Sequence, residues 1–406
     1  MLFLKTHLKK KFVCFRPRVR VSAFLRIIKI GESSLKNIFG NMAKKTEAKP
    51  DSILFFLVLG LLIIGFLMLF SVSASISREQ FGNTYYYIGH QFLFGVLPGF
   101  VLAVFFLKAK PALLKKWSLF FFIGNLILLT MVFLPGIGVL KGGASRWIQI
   151  NDFSFQPVEF LKITLPLYLS AWLSKKKKHN LAVMASFFLI LVPLIVILLL
   201  QPDFSTLVLV ILGACVVYFL SETPLWHTFL LFALGIAGSS LLIVFKQYRM
   251  QRFLTFIVPK NDPLGAGFQV SQTVIAIGSG GLWGNGLGLS TQKFGFLPNV
   301  ISDSIFAAFC EETGFIGPLV LISMFLFFLV RVLIISKRTE DKFLRPLGIA
   351  LAAGILFQAF LNIMAMMGVV PLTGVPLPSI SYGGTHLMVE LAMVGMLLNI
   401  SKHARN

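Results

Sequence analysis

Residues 175–200 read KKKKHNLAVMASFFLILVPLIVILLL: four lysines, then two residues, then twenty residues without a single charge. At about 1.5 Å of rise per residue a twenty-residue helix covers roughly 30 Å, the thickness of the hydrocarbon core of a bilayer. A dense lysine flank on one side only is the mark of a cytoplasmic loop beside anionic lipid. The stretch therefore reads as a transmembrane helix that starts on the cytoplasmic side.

The same pattern recurs outward from there. Apolar blocks lie at about residues 53–74, 87–107, 117–135, 157–174, 204–220, 226–245, 304–335, 344–369 and 384–400, which with 181–200 makes ten. If the chain starts inside, the connections at 108–116, 174–180, near Glu222, at 336–345 and the C-terminal SKHARN fall on the cytoplasmic side, and these hold nearly every dense basic cluster. Expected is an all-α polytopic membrane protein of about ten transmembrane helices, with both termini cytoplasmic. Two regions divide the chain: a basic tail over 1–50 and a membrane domain over 51–401. The tail carries 13 Lys and Arg against Glu32 and Glu47, and Met42 opens a run, MAKKTEAK, that resembles a bacterial start. Residues 1–41 are therefore read as an upstream extension, although a basic, acid-poor segment also fits a transit peptide.

Composition excludes other classes. The chain is 57% hydrophobic and 13% charged, with 43 Phe against 5 Trp and 7 Tyr, which no water-soluble domain of this size matches. Its net charge of +22 does not imply nucleic acid, because the basic residues sit in short patches between apolar blocks. Cys14, Cys215 and Cys310 are far apart and form neither a disulfide framework nor a zinc site. The six histidines are scattered and form no metal constellation, so His90 and His386 read as interface or bundle residues.

The loops opposite the lysine clusters differ in kind. They span 136–156, 201–203, about 246–302 and 369–384, and they concentrate Gly, Pro, Ser and Asn. A connection of nearly 60 residues between helices 7 and 8 exceeds ordinary loop length, so it is functional, disordered or folded back onto the membrane, and its stretches Phe253 to Val258 and Val270 to Ile277 are apolar enough to dock. The run GSGGLWGNGLG at 278–288 superficially suggests a phosphate loop, but no βαβ unit surrounds it, and it reads as a flexible turn-rich segment.

Ionisable groups at membrane depth are functional candidates by default. Glu159 and Lys162 stand three apart on one helix face and neutralise each other; Asp203 follows Gln201 and Pro202; Asp303 stands at the mouth of the eighth span, ahead of Glu311 and Glu312. Arg146, Arg249, Arg252, Lys260 and Lys293 add positive charge on that side. Cations that hold a diphosphate, and a carboxylate that takes a proton from an alcohol, would together make a transfer site. From chemistry alone, structural roles come first for every one of these residues except Asp303, which has no cation near it in sequence.

Seven ordered motifs give the chain a family resemblance. They are GASRWIQI at 143–150, QPVEFLKI at 156–163, QPDFST at 201–206, GAGFQVSQT at 265–273, GLWGNGLGLSTQKFGFLP at 281–298, SDSIFAAFCEETG at 302–314 and GVPLPSISYGG at 374–384. In this order they resemble the SEDS family of peptidoglycan glycosyltransferases, and within it the cell-division branch, with the elongation branch a close sibling. The resemblance implies a ten-helix bundle that polymerises lipid II at the outer face of the cytoplasmic membrane, at the division septum, and releases undecaprenyl diphosphate. The implied partners are a class B penicillin-binding protein and other divisome membrane proteins, and no nucleic acid.

On that resemblance Asp303 is the general base. Arg146, Gln292 and Lys293 line the diphosphate and sugar site, with Glu159, Lys162 and Asp203 as further substrate-binding candidates; Ser381 and Gly383 shape the neighbouring cavity. The cofactor is left open, a divalent cation being one option, and no metal ligand is assigned. The chain departs from the family in two places. Pro298-Asn299-Val300-Ile301-Ser302-Asp303 lacks the usual glutamate and histidine, and Thr385 replaces the usual small serine.

Overall fold

The computed structural model describes residues 49–141, 144–150, 153–176, 181–244, 247–258 and 265–404. The expected basic tail falls almost wholly outside them, as does Lys260.

Each of the ten apolar blocks is helical. Among the described residues eight helices are long and apolar enough to cross a membrane: α1 (Ser52–Phe81), α2 (Tyr86–Lys108), α3 (Pro111–Met131), α5 (Leu181–Leu200), α7 (Leu225–Val244), α11 (Ile316–Lys337), α12 (Leu344–Met366) and α13 (Gly384–Ser401). Two are shorter: α4 (Leu161–Leu173), which continues the 3₁₀ turn Pro157–Phe160, and α6 (Phe204–Leu220). The chain is a multi-pass membrane protein. Its helix ends follow from local chemistry. Asp51 caps α1 by accepting from Leu54 N–H at 2.8 Å, and Gly82, at φ +67°, closes it in the left-handed conformation that glycine adopts freely. Within α2 the residues Phe92–Val96 form a π-turn.

Two apolar clusters fill the bundle. One joins α1, α11, α12 and α13; the other joins α3, α4, α5 and α6. Helix α13 runs through the middle, buried from Thr385 to Ser401 on every face, which is why its sequence is apolar all round and has no polar stripe. It approaches α2 closely because Gly395 has no side chain: a Cβ there would collide with the Ala103 carbonyl. Helix α7 is the opposite case, almost entirely exposed along its length.

The structure adds detail to the connections and changes some expectations. The 136–156 connection is a three-stranded antiparallel sheet, β1 (Gly138–Lys141), β2 (Ala144–Ile150) and β3 (Phe153–Phe155), with Val139 opposite Trp147 and Ile148 opposite Phe155. The expected span 304–335 is broken into α10 (Ile305–Thr313) and α11 at Gly314, whose φ is +65°. The long connection before it carries two helices, α8 (Gln247–Ile257) and α9 (Ala266–Ser279).

The glycine-rich run is not a flexible loop. Asn285 and Gly286 N–H donate to the Glu311 and Glu312 carbonyls at 3.0 Å each, satisfying carbonyls that the end of α10 leaves open. Gly284, at φ +81°, lies so close to α10 that a Cβ would collide with the Glu312 carbonyl. Since successive helices alternate in direction, the sheet, the 201–203 turn, α8–α10 and the 367–383 connection all fall at one end of the bundle.

Candidate active site

Asp303 is presented by a tight turn at that end. Asn299 adopts φ +53°, and its carbonyl accepts from Ser302 N–H at 3.0 Å and Ser304 N–H at 3.3 Å, which folds the chain back just before α10. The carboxylate is 9% exposed. Ser302 Oγ donates to one oxygen at 3.0 Å and Gln269 Nε2, from α9, approaches the other at 3.5 Å. The Asp303 carbonyl accepts from Asn362 Nδ2 of α12 at 2.8 Å. Burial pushes the carboxyl above its ordinary value; the bonds from Ser302 and Gln269 and the charge of Arg252 oppose that without reversing it. A carboxylate raised in this way is a better proton acceptor than one in water.

The connections at this end hold two cavities. The first, about 380 Å³, is lined by Arg146 of β2, Arg249 and Arg252 of α8, and Asp203 and Phe204 at the start of α6. Arg146 is anchored by donating through Nε to Gln201 O at 3.0 Å and through Nη2 to Pro202 O at 2.5 Å. Asp203 accepts from Thr206 N–H as the cap of α6, and Arg249 lies 5.2 Å from the Phe204 ring centre. The second cavity, about 440 Å³, is aromatic, with Tyr86, Tyr87, His90, Trp147 and Tyr382 in its wall and Gly383 at its edge. Tyr382 Oη and His90 Nδ1 are 2.8 Å apart.

Strand β2 separates the two chambers. Successive strand residues point to opposite faces, so Arg146 enters the cationic cavity and Trp147 the aromatic one. Ser302, hydrogen-bonded to the Asp303 carboxylate, lines the aromatic chamber, and Arg252 lines the other.

The remaining sequence candidates lie in other networks. Glu159 and Lys162 do form an ion pair, at 2.7 Å, but inside a closed group: Lys162 also donates to Gln358 Oε1 at 2.7 Å, and Glu159 is 3.0 Å from His386 Nδ1. Glu390, one turn along α13, stands 3.8 Å from His386 Nε2. The space among them is about 10 Å³, room for no more than a water molecule. Lys293 is 4% exposed, and its ammonium donates to Ser71 O, Gly288 O and Glu312 Oε1. The Gln292 N–H is 3.4 Å from Glu311 Oε1, which also accepts from Thr291 N–H and Oγ1. Lys293 and Gln292 thus belong to the clamp that pins the glycine-rich segment, while Asp303 is hydrogen-bonded in a different group. Ser381 Oγ donates to Ser302 O, next to Asp303, and Gly383 N–H donates to Gln91 Oε1 at 2.9 Å.

Sequence reading took His386 for an interface or bundle residue and passed over Glu390, Gln269 and Asn362. The first two carried a signal: an ionisable pair four residues apart within an apolar span. Gln269 and Asn362 carried none, because polar amides in helices have many uses. Among the described residues no group of three or more His, Cys, Asp or Glu is placed to hold a metal.

A bundle of membrane-length helices whose connections at one end hold a buried carboxylate, a cationic cavity and an aromatic one defines a multi-pass membrane protein with a polar site at that end. More specifically, the chain belongs to the cell cycle protein family of FtsW, RodA and SpoVE, whose model matches residues 52–406. It is 35% identical over 358 residues to a probable peptidoglycan glycosyltransferase FtsW of Geobacter sp. (strain M18), covering 87% of this chain and 97% of that one. To stage V sporulation protein E of Bacillus subtilis (strain 168) it is 34% identical over 366 residues, 89% and 99% of the two chains. Among solved structures it is similar to a chain of a peptidoglycan synthase complex described as coordinating polymerization and crosslinking, with TM-score 0.72, 28% identity and coverage of 87% and 97%. The Thermus thermophilus rod shape determining protein RodA matches with TM-score 0.65, 25% identity and coverage of 88% and 98%.

Proposed function

We propose that this chain is an FtsW-like peptidoglycan glycosyltransferase that polymerises lipid II at the outer face of the cytoplasmic membrane during cell division, with Asp303 as general base. The observation that carries the reading is a buried carboxylate, Asp303, at the end of the bundle that holds a chamber with three arginines and one lined by aromatic rings and by Ser302, its hydrogen-bond partner. Arginine guanidinium groups hold phosphate oxygens through charge-assisted hydrogen bonds, and aromatic faces suit sugar rings. The diphosphate of the donor occupies the cationic chamber against Arg146, Arg249 and Arg252, and the acceptor sugar approaches from the aromatic side. Asp303 takes the proton of the acceptor 4-hydroxyl as its oxygen bonds to the donor anomeric carbon. The bond from that carbon to the phosphate oxygen breaks, and undecaprenyl diphosphate leaves with its charge held by the arginines. General base catalysis supplies about 10²–10⁴-fold of such a rate.

Ser381 and Gly383 shape the aromatic side and Asp203 the cationic one. A class B penicillin-binding protein is the crosslinking partner, in keeping with the synthase complex that the fold resembles. The family also contains RodA, so an elongation polymerase with the same chemistry is the sibling reading.

A lipid II flippase is the second reading. It gains from the buried group Glu159, Lys162, His386 and Glu390, ionisable residues inside the bundle of the kind a transport path requires. The closed packing of that group favours the transferase. The test is lipid II polymerisation by the purified protein with its penicillin-binding protein, wild type against Asp303→Asn. Glycan strands from the wild type alone support the transferase; equal polymer from both moves the base elsewhere, and none from either returns the flippase.

A further inference from the structure

The connection between α12 and α13 is held more tightly than a turn between two membrane helices requires. Ser379 adopts φ +61°, a left-handed conformation that residues with a side chain rarely take. Glu390, 5% exposed on the second turn of α13, accepts from Ser379 N–H at 2.7 Å and from Ser379 Oγ at 2.6 Å. Gly65 of α1 backs the same residue so closely that a Cβ would collide with the Ser379 carbonyl. Gln358 Nε2 donates to Pro376 O at 2.8 Å.

The other side of this connection grips the turn that carries Asp303. Ser381 Oγ donates to Ser302 O, and Tyr382 N–H donates to Ile301 O at 2.9 Å. Asn362 Nδ2 donates both to Val375 O and to Asp303 O, at 2.8 Å each. Two sets of hydrogen bonds, Glu390 to Ser379 and Ser381 to Ser302, are therefore joined through the short backbone stretch 379–381 and link a buried carboxylate in the bundle to the backbone beside the base.

We propose that Glu390 is a positioning residue for Asp303: by holding Ser379 in its left-handed conformation it fixes the 375–382 segment, and that segment sets where the Asp303 carboxylate stands. The inference rests on Asp303 being the general base. Misplacement of a catalytic group by about 1 Å costs on the order of 100-fold in rate while leaving substrate binding intact. A hydrogen-bonding role, as opposed to a charge, is preserved by glutamine, whose amide still accepts from Ser379 N–H. Glycine at 379 reaches φ +61° without help.

The test is steady-state lipid II polymerisation by the full chain with its penicillin-binding protein. Glu390→Leu is expected to lower kcat about 100-fold at unchanged KM, and Glu390→Gln to retain most of the activity. Ser379→Gly added to Glu390→Leu is expected to recover about tenfold. A Glu390→Leu protein with wild-type kcat, an effect on KM alone, or a loss that Ser379→Gly leaves untouched overturns the proposal. Should Glu390→Leu fail to fold, Ser379→Ala decides, since it deletes one of the two hydrogen bonds and no charge: reduced kcat at unchanged KM supports the role and wild-type kcat overturns it. The wild type and Asp303→Asn are measured alongside. Equal activity in those two removes the underlying reading of Asp303, whereas an inactive Asp303→Asn beside an unaffected Glu390→Leu removes only this inference.

Discussion

Asp303 is costly to the fold in its ionised state. Its folded pKa is raised by burial, so the ionised form is disfavoured in the folded protein relative to the unfolded chain. That penalty is absent where both states are protonated, below the ordinary value of 3.8, and grows as pH rises through the raised folded value. Asp303→Asn should therefore melt at a higher temperature than wild type at neutral pH, with the gap closing in acid, while its polymerisation is lost; melting in detergent across pH checks both directions. The same shift places the acid limb of wild-type kcat/KM above the ordinary carboxylate range, readable from initial rates against pH. The candidacy of Asp303 was legible in the sequence from its place at a span mouth without a neighbouring cation. Its pKa was not, because the burial comes from α9, α10 and α12, which the chain order keeps apart.

At the scale of the element, close approach and clamping decide the site. Gly65 lies mid-way along α1, where an apolar span gives no hint that one glycine matters. Gly65→Ala should displace the Ser379 carbonyl, reducing polymerisation more than it reduces folded yield, as rate measurements on protein of matched fluorescence-detected elution would show. Lys293 and Glu312 pin the glycine-rich segment from within, at 3.0 Å and almost fully buried. Lys293→Met strands the Glu312 carboxylate and should destabilise by roughly 3–5 kcal/mol, whereas Lys293→Met with Glu312→Met should recover most of that loss, read by thermal melting. The diphosphate role of Lys293 was implied by the family resemblance, while chemistry alone put a structural role first; its ammonium has three acceptors around it. The sheet at 138–155 escaped notice because its seven-residue central strand sits in a Gly- and Ser-rich connection, yet it is what parts Arg146 from Trp147.

For the whole molecule the number of crossings and the basic loops make one joint prediction. With ten crossings, a cysteine at Lys110 and one at Arg338 should react with a membrane-impermeant maleimide only after the membrane is opened, and a cysteine at Trp283, 81% exposed, should react in intact cells. Any other pattern revises the orientation. The sequence by itself determined the solvent, the ten helical segments and which connections share an end, because the length of an apolar run and the side of its lysines are local properties that the bilayer reads directly. Only the tertiary structure decided which polar groups meet: that Glu159 and Lys162 close on His386 instead of facing a chamber, that Arg249 and Arg252 join Arg146 around a cavity, and that Glu390 is tied through Ser379 to the turn bearing Asp303. Those pairings join distant residues, 227 positions apart for Glu159 and His386, and depend on which helix packs beside which. The apolar pattern of each helix leaves that choice open, and close-packed glycines and buried hydrogen bonds settle it.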